Sequence, residues 1–126
     1  MVIRVLLDTQ ALIVAYSGLL PRKLESAIVG PEHEWVLSAA SLAEIGVKNS
    51  IGKLDMPAAE AQRAVRDLEV SVLPFEAQHA FRMFSLPQHH RDPFDRMILA
   101  TALVEKLPIV TSDRIFHRYP GIKVIW

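Results

Sequence analysis

Carboxylates carry the most chemical scope in this sequence. Six aspartates occur among the 126 residues: Asp8, Asp55, Asp67, Asp92, Asp95 and Asp113. Cysteine is absent, which excludes thiol nucleophiles, zinc ribbons, iron–sulfur clusters and disulfide scaffolds. Carboxylates brought together repel one another, and keeping them ionised needs a nearby cation. Hard oxygen donors without His or Cys suit Mg2+ or Mn2+ rather than zinc. Which acids converge depends on the elements that carry them.

Val2–Leu7 is rich in Val, Ile and Leu, broken only by Arg4, and reads as a strand buried on both faces. A helix over 10–17 follows, capped by Asp8 or Thr9 and ended before Gly18. Pro21 starts a second helix, which Gly30 and Pro31 stop. Trp35–Ser38 reads as a strand, Ser41–Ile51 as a helix closed by Gly52, and Ala58–Leu68 as a helix with Ala61, Ala64, Val65 and Leu68 on one face. Val70–Leu73 is a third strand. Phe75–Phe84 reads as a helix with Phe75, Ala80, Phe81 and Phe84 in the core. A polar loop leads through Asp92 to a largely buried helix, Phe94–Glu105. Ile109–Thr111 and Val124–Trp126 are the last strands, and Trp35 and Trp126 read as core residues. Strands alternating with helices predict an α/β three-layer sandwich around a mostly parallel sheet.

Ligands of such sheets gather at the carboxyl ends of the strands. Asp8 closes the first strand, and Asp113 lies just past the fourth. Crossover helices run antiparallel to their strands, so their N-termini share that edge. Glu44 and Asp95 fall in the first turns of two such helices. Asp8, Glu44, Asp95 and Asp113 are thus expected at one edge of the sheet. Each has a plainer reading as a helix cap. Ser41-Leu-Ala-Glu44 fits a capping box, and Asp92-Pro93-Phe94-Asp95 fits an N-cap, a proline at N1 and an acid at N3. Asp92 reads as the cap rather than as a ligand. Thr111 and Ser112 can hydrogen-bond a carboxylate near them. His89 and His90 read as solvated loop residues, with a general-base role as the alternative. Arg91, Arg96 and Arg114 flank the acids and can hold phosphates or pair with the acids, and Lys48 and Lys53 extend that basic rim.

Fourteen basic residues balance fourteen acidic ones, so any nucleic-acid contact must come from a local patch. Hydrophobic residues make up 51% and charged residues 22%, a globular composition that fits one domain over 1–126. No apolar run is long enough to span a membrane. The apolar N-terminal run is cut short by Asp8 and Gln10, so it reads as a buried strand rather than a signal peptide, and a cytoplasmic location is expected. A nucleotide-binding fold would need a glycine-rich loop after the first strand, and none is present. Aspartyl-phosphate enzymes would place a second acid where Gln10 stands.

At these residues the sequence resembles the PIN-domain family of metal-dependent nucleases, and within it the VapC-type toxins of toxin–antitoxin pairs. The matching stretches are Leu6-Leu-Asp-Thr-Gln-Ala-Leu, Ser41-Leu-Ala-Glu-Ile-Gly-Val-Lys, Gly52-Lys-Leu, His90-Arg-Asp-Pro-Phe-Asp-Arg-Met-Ile-Leu-Ala-Thr-Ala, Ile109-Val-Thr-Ser-Asp and Val124-Ile-Trp. They follow the family order over nearly the whole chain. The family's acidic quartet falls on Asp8, Glu44, Asp95 and Asp113. The resemblance implies a sheet ordered 3-2-1-4-5, Mg2+ or Mn2+ as cofactor, RNA as substrate, a small antitoxin protein as partner and a homodimer. Relatives often carry His where Gln10 stands and Trp where Val14 stands, outside the quartet. The alternative function is a catalytically weak PIN-like module that binds RNA or a partner.

Overall fold

A computed structural model describes residues 1–126. Five strands form one sheet: β1 (Ile3–Leu7), β2 (His33–Ser38), β3 (Ser71–Leu73), β4 (Ile109–Val110) and β5 (Val124–Ile125). Their order is β3-β2-β1-β4-β5, the 3-2-1-4-5 sheet expected from the resemblance, and every pairing is parallel. Six helices surround it: α1 (Thr9–Tyr16), α2 (Arg22–Ile28), α3 (Ala39–Ser50), α4 (Ala58–Asp67), α5 (Ala77–Arg82) and α6 (Pro93–Glu105). Short 3-10 turns cover Met83–Ser85 and Arg114–Arg118.

Side-chain alternation along β1 divides the core. Val5 and Leu7 join Leu37, Val110 and residues of α1 to α4 in one buried cluster. Leu6 points the other way, into a second cluster with Val36, Ile109, Phe116 and the Ile98–Ala100 stretch of α6. Successive strand residues face opposite sides of a sheet, so the consecutive buried apolar residues Val5, Leu6 and Leu7 are what two covered faces require. The result is the three-layer α/β sandwich. Leu6 lies between Val36 and Ile109, and Leu7 between Leu37 and Val110. This register lines up the carboxyl ends of β1, β2 and β4. No helix is long and apolar enough to cross a membrane.

Two expectations fail on the α5 side. The helix over 75–84 shrinks to six residues, and Phe81 and Phe84 are 72% and 88% exposed rather than core. Buried His79 is the inward residue instead. Its Nδ1 accepts the Glu76 N–H, so the ring's proton sits on Nε2, 3.6 Å from Glu105. With Nδ1 so used, Nε2 carries no lone pair for a metal, although Glu76, His79 and Glu105 cluster closely. Trp126 lies past the end of edge strand β5 and is 43% exposed, whereas Trp35 packs on the core and donates to the Ile28 carbonyl.

Helix α6 ends on Lys106 in the left-handed conformation, with φ 56° and ψ 47°. Glycine reaches that region without the Cβ contact that strains other residues. Lys106→Gly is therefore expected to raise stability by roughly 0.5–1 kcal/mol, the scale of backbone relief at such positions. A urea titration checks this, and a loss of stability would contradict it.

Candidate functional site

The carboxyl edge of the sheet holds the acids. Asp8 follows β1 and caps α1, its Oδ1 accepting the Ala11 N–H at 2.8 Å. Its main-chain N–H donates to the Val110 carbonyl, continuing the β1–β4 ladder by one residue. The same ladder brings Thr111 alongside, and the Thr111 hydroxyl donates to Asp8 Oδ2. Thr111 Oγ1 also accepts the Asp113 N–H at 3.0 Å. One threonine thus ties two of the acids together. Asp113 caps the following 3-10 turn through the Ile115 N–H. The hydrogen-bonding role expected of Thr111 is present, while Ser112 is exposed and bonds to neither acid.

Glu44 departs from its capping reading. Ser38, not Ser41, caps α3, its hydroxyl accepting the Ala40 N–H at 3.0 Å. The helix therefore starts earlier than expected, and Glu44 sits in its second turn. There it is buried at 4% exposure. The Thr9 hydroxyl donates to Oε1 and the Lys48 ammonium to Oε2, both at 2.6 Å. Lys48 lies one helical turn along, at the i,i+4 spacing that favours such pairs. Its bond to Glu44 holds the ammonium above its ordinary pKa.

Asp92 caps α6, accepting the Phe94 and Asp95 N–H groups, as expected. Asp95, half-buried in the first turn, makes no hydrogen bond or ion pair through its side chain. Burial, then the charges of Asp92, Glu44, Asp113 and Asp8, push its pKa up to about 7. Asp8 is also raised, chiefly by burial and further by Asp113 and Glu44, while bonds from Thr111 and Ala11 pull it back. These couplings bring all four expected acids into one electrostatic field. The tightest set of potential ligand atoms is His90, Asp95 and Asp113, all within 4.8 Å of one another. Asp8 and Glu44 lie outside that tightest set.

The basic rim differs from expectation. Arg96 donates to the carbonyls of Pro87, Met83 and Leu86, anchoring the loop before α6 rather than facing the acids. Arg91 and Arg114 are exposed. Lys48 is the cation that bonds an acid of the cluster. A cavity of about 210 Å³ adjoins it, lined by Thr9, Gln10, Glu44, Lys48 and Lys53 among others. A larger apolar cavity, about 530 Å³, lies between α3 and α4, lined by Leu42, Ile45, Met56, Ala61 and Val65. His90 was expected at the surface and is 4% exposed. His89, beside it, is exposed and packs edge-on against Tyr119.

Residues 5–122 match the sequence model of the PIN domain. The chain belongs to the PIN domain family. Solved structures share the fold of this PIN domain. They include VapBC2 from Rickettsia felis bound to a promoter DNA fragment, with TM-score 0.67, 18% identity and 97% of each chain covered. A toxin–antitoxin complex from Klebsiella pneumoniae gives TM-score 0.63 and 24% identity over 97% of this chain and 96% of that one. VapBC-5 from Mycobacterium tuberculosis gives TM-score 0.62 and 22% identity over 97% of each. Among curated proteins, none matches.

The donor set suits a hard divalent cation. It is carboxylate oxygen with one imidazole nearby, without sulfur. Asp95 has no side-chain partner of its own, and burial, then neighbouring acids, raise its pKa. Asp8, Glu44, Asp95 and Asp113 are the residues that could hold such an ion. The metal-free pH dependence follows from Asp95. Its folded pKa of about 7 exceeds the ordinary 3.8. Between those values the folded state keeps a proton that the unfolded chain has released, so stability falls as pH rises through that window. Asp8 acts in the same direction. Metal-free melting temperature should be lower at pH 8 than at pH 5.5, and Mg2+ should restore more of it at pH 8. Thermal melts at both values check this, and equal metal-free melting with no response to Mg2+ would contradict it.

Proposed function

We propose that this PIN domain, a single unit over 1–126, is a metal-dependent endoribonuclease that hydrolyses RNA phosphodiester bonds as the toxin of a toxin–antitoxin pair. The observation carrying the reading is the shared field of Asp8, Glu44, Asp95 and Asp113, with Asp95 half-buried and unpaired. Structural stability alone does not explain four mutually repelling carboxylates. Mg2+ or Mn2+ would supply charge against the phosphate and acidify an attacking water. Asp95 keeps both oxygens free for a ligand. Asp8 and Asp113 have their orientations fixed by main-chain N–H groups. Glu44 fixes Lys48 at the rim, where an ammonium attracts the RNA backbone that the acids repel. The small cavity beside Lys48 and Lys53 offers room next to that cation.

The toxin role rests on the PIN family together with fold relatives that are themselves VapBC toxin–antitoxin complexes. The apolar cavity between α3 and α4 supports a small antitoxin protein as partner. Exposed Val47 and Ile51 on and just after α3, with Leu19 after α1, support a homodimer. A cytoplasmic location accords with an RNA substrate. A binding module without catalysis is the second reading, and it would not need the metal.

Cleavage of a structured RNA pool in Mn2+ tests the site. Asp8→Asn, Glu44→Gln, Asp95→Asn and Asp113→Asn should each lower turnover by about 100-fold or more, the scale of losing a charge-stabilising group. Asp92→Asn should stay within a few-fold, since asparagine caps a helix about as well as aspartate. EDTA should abolish cleavage. Full activity in Asp8→Asn and Asp95→Asn, or indifference to EDTA, would overturn the nuclease reading.

A further inference from the structure

The loop before α6 carries a buried residue that the carboxylate account does not use. His90 is 4% exposed and lies against the acid edge. Its Nε2 is 3.0 Å from Asp113 Oδ2, and its Nδ1 is 3.0 Å from the Tyr119 hydroxyl. The same hydroxyl accepts the His90 main-chain N–H at 2.9 Å. The two rings stack with an interplanar angle of 3°, and Phe116 closes the other approach at 4.5 Å between centroids. Phe116 and Tyr119 are themselves buried, at 0% and 3%.

The hydrogen-bond roles follow from the donors available. An ionised Asp113 only accepts, so the atom facing it, Nε2, must bear a proton. The Tyr119 oxygen already accepts the main-chain N–H, and its own proton is free to reach Nδ1. The chain of bonds then runs in one direction: Tyr119 O–H to Nδ1, Nε2–H to Asp113 Oδ2, with Ile115 N–H on Asp113 Oδ1. Both oxygens of Asp113 are held, each by a single donor, and each keeps a lone pair. Asp113 is 36% exposed at its side chain, and without His90 only the Ile115 N–H would hold it.

We infer that His90 is a positioning residue, clamped by Tyr119, whose Nε2–H fixes the orientation of Asp113 for cation binding rather than ligating the cation itself. The inference rests on the metal-site reading above. It explains why a histidine between polar loop residues is buried: its ring spans the gap between Tyr119 and Asp113. Outer partners of metal ligands act in this way, orienting the ligand without touching the ion.

The test uses the full chain, NMR of its histidines and calorimetric titration with Mn2+ alone. In the metal-free protein, Nε2 of His90 should carry a proton, and that proton should persist when Mg2+ is added to saturation. His90→Ala should weaken Mn2+ binding by about 10–100-fold, the usual effect of losing an outer partner. His90→Gln, whose side-chain amide can donate from nearly the same point, should recover most of it. Tyr119→Phe should shift the Nδ1 resonance by removing its donor. A bare Nε2 in the metal-free protein, loss of its proton on Mg2+ addition, unaltered Mn2+ affinity in His90→Ala, or no recovery in His90→Gln would each overturn the inference. A chain that binds Mn2+ in the expected pattern but cuts no RNA would refute the nuclease reading and leave the His90 assignment standing. Wild-type protein that takes up no Mn2+ would contradict both.

Discussion

Mutual repulsion among carboxylates at one edge of a parallel sheet is the constraint around which this molecule is organised. Left to themselves, Asp8, Glu44, Asp95 and Asp113 would move apart or take up protons. The fold prevents the first by tying three of them down. Asp8 is held by Ala11 and Thr111, Glu44 by Thr9 and Lys48, and Asp113 by Ile115 and His90. Asp95 has no such anchor, and burial, followed by the charges of its acidic neighbours, pushes its pKa up to about 7. The parallel pairing of β1 with β4 is what makes this possible. It puts Thr111 opposite Asp8, so that one hydroxyl serves both Asp8 and the Asp113 backbone. Two apolar layers behind the edge hold that register while the acids press against it.

Capping a helix does not take a carboxylate out of the cluster. Asp8 and Asp113 each cap a helical turn and also face the cluster. A carboxylate that accepts a main-chain N–H with one oxygen still has lone pairs on both, and the cap fixes its direction at little cost. Asp92 shows the division of labour on α6. It takes the cap, which leaves Asp95 one turn-position further in without that duty. Glu44 is freed differently, because Ser38 takes the cap of α3.

Much of this was legible in the sequence, for physical reasons. The consecutive apolar residues Val5, Leu6 and Leu7 point to both faces of a strand, so β1 implies a sheet covered on both sides. Strand–helix alternation then placed Asp8, Glu44, Asp95 and Asp113 near one edge, and the structure brings them into one electrostatic field. What stayed hidden depended on contacts distant in sequence or on short elements. His90 looked like a solvated loop residue because its partners, Phe116 and Tyr119, lie 26 and 29 positions away. Phe81 and Phe84 looked like core because a helix of six residues is too short for its apolar face to be read from spacing. The start of α3 falls at Ser38 rather than Ser41 because both serines can cap a helix, and only the strand end chooses between them. Lys48 is expected from the sequence only at a basic rim, whereas the structure pairs it with Glu44, whose burial the i,i+4 spacing alone does not reveal.

On the proposed reading the carboxylate edge takes up a divalent cation, and Asp95 is the member that lacks any other partner. Calorimetric titration of Mn2+ into the metal-free wild-type chain and into Asp95→Asn tests it most directly, without RNA and without catalysis. A saturable site is expected in the wild-type protein, and a severe loss of it in Asp95→Asn. Equal Mn2+ binding in the two proteins, or none in either, would contradict it.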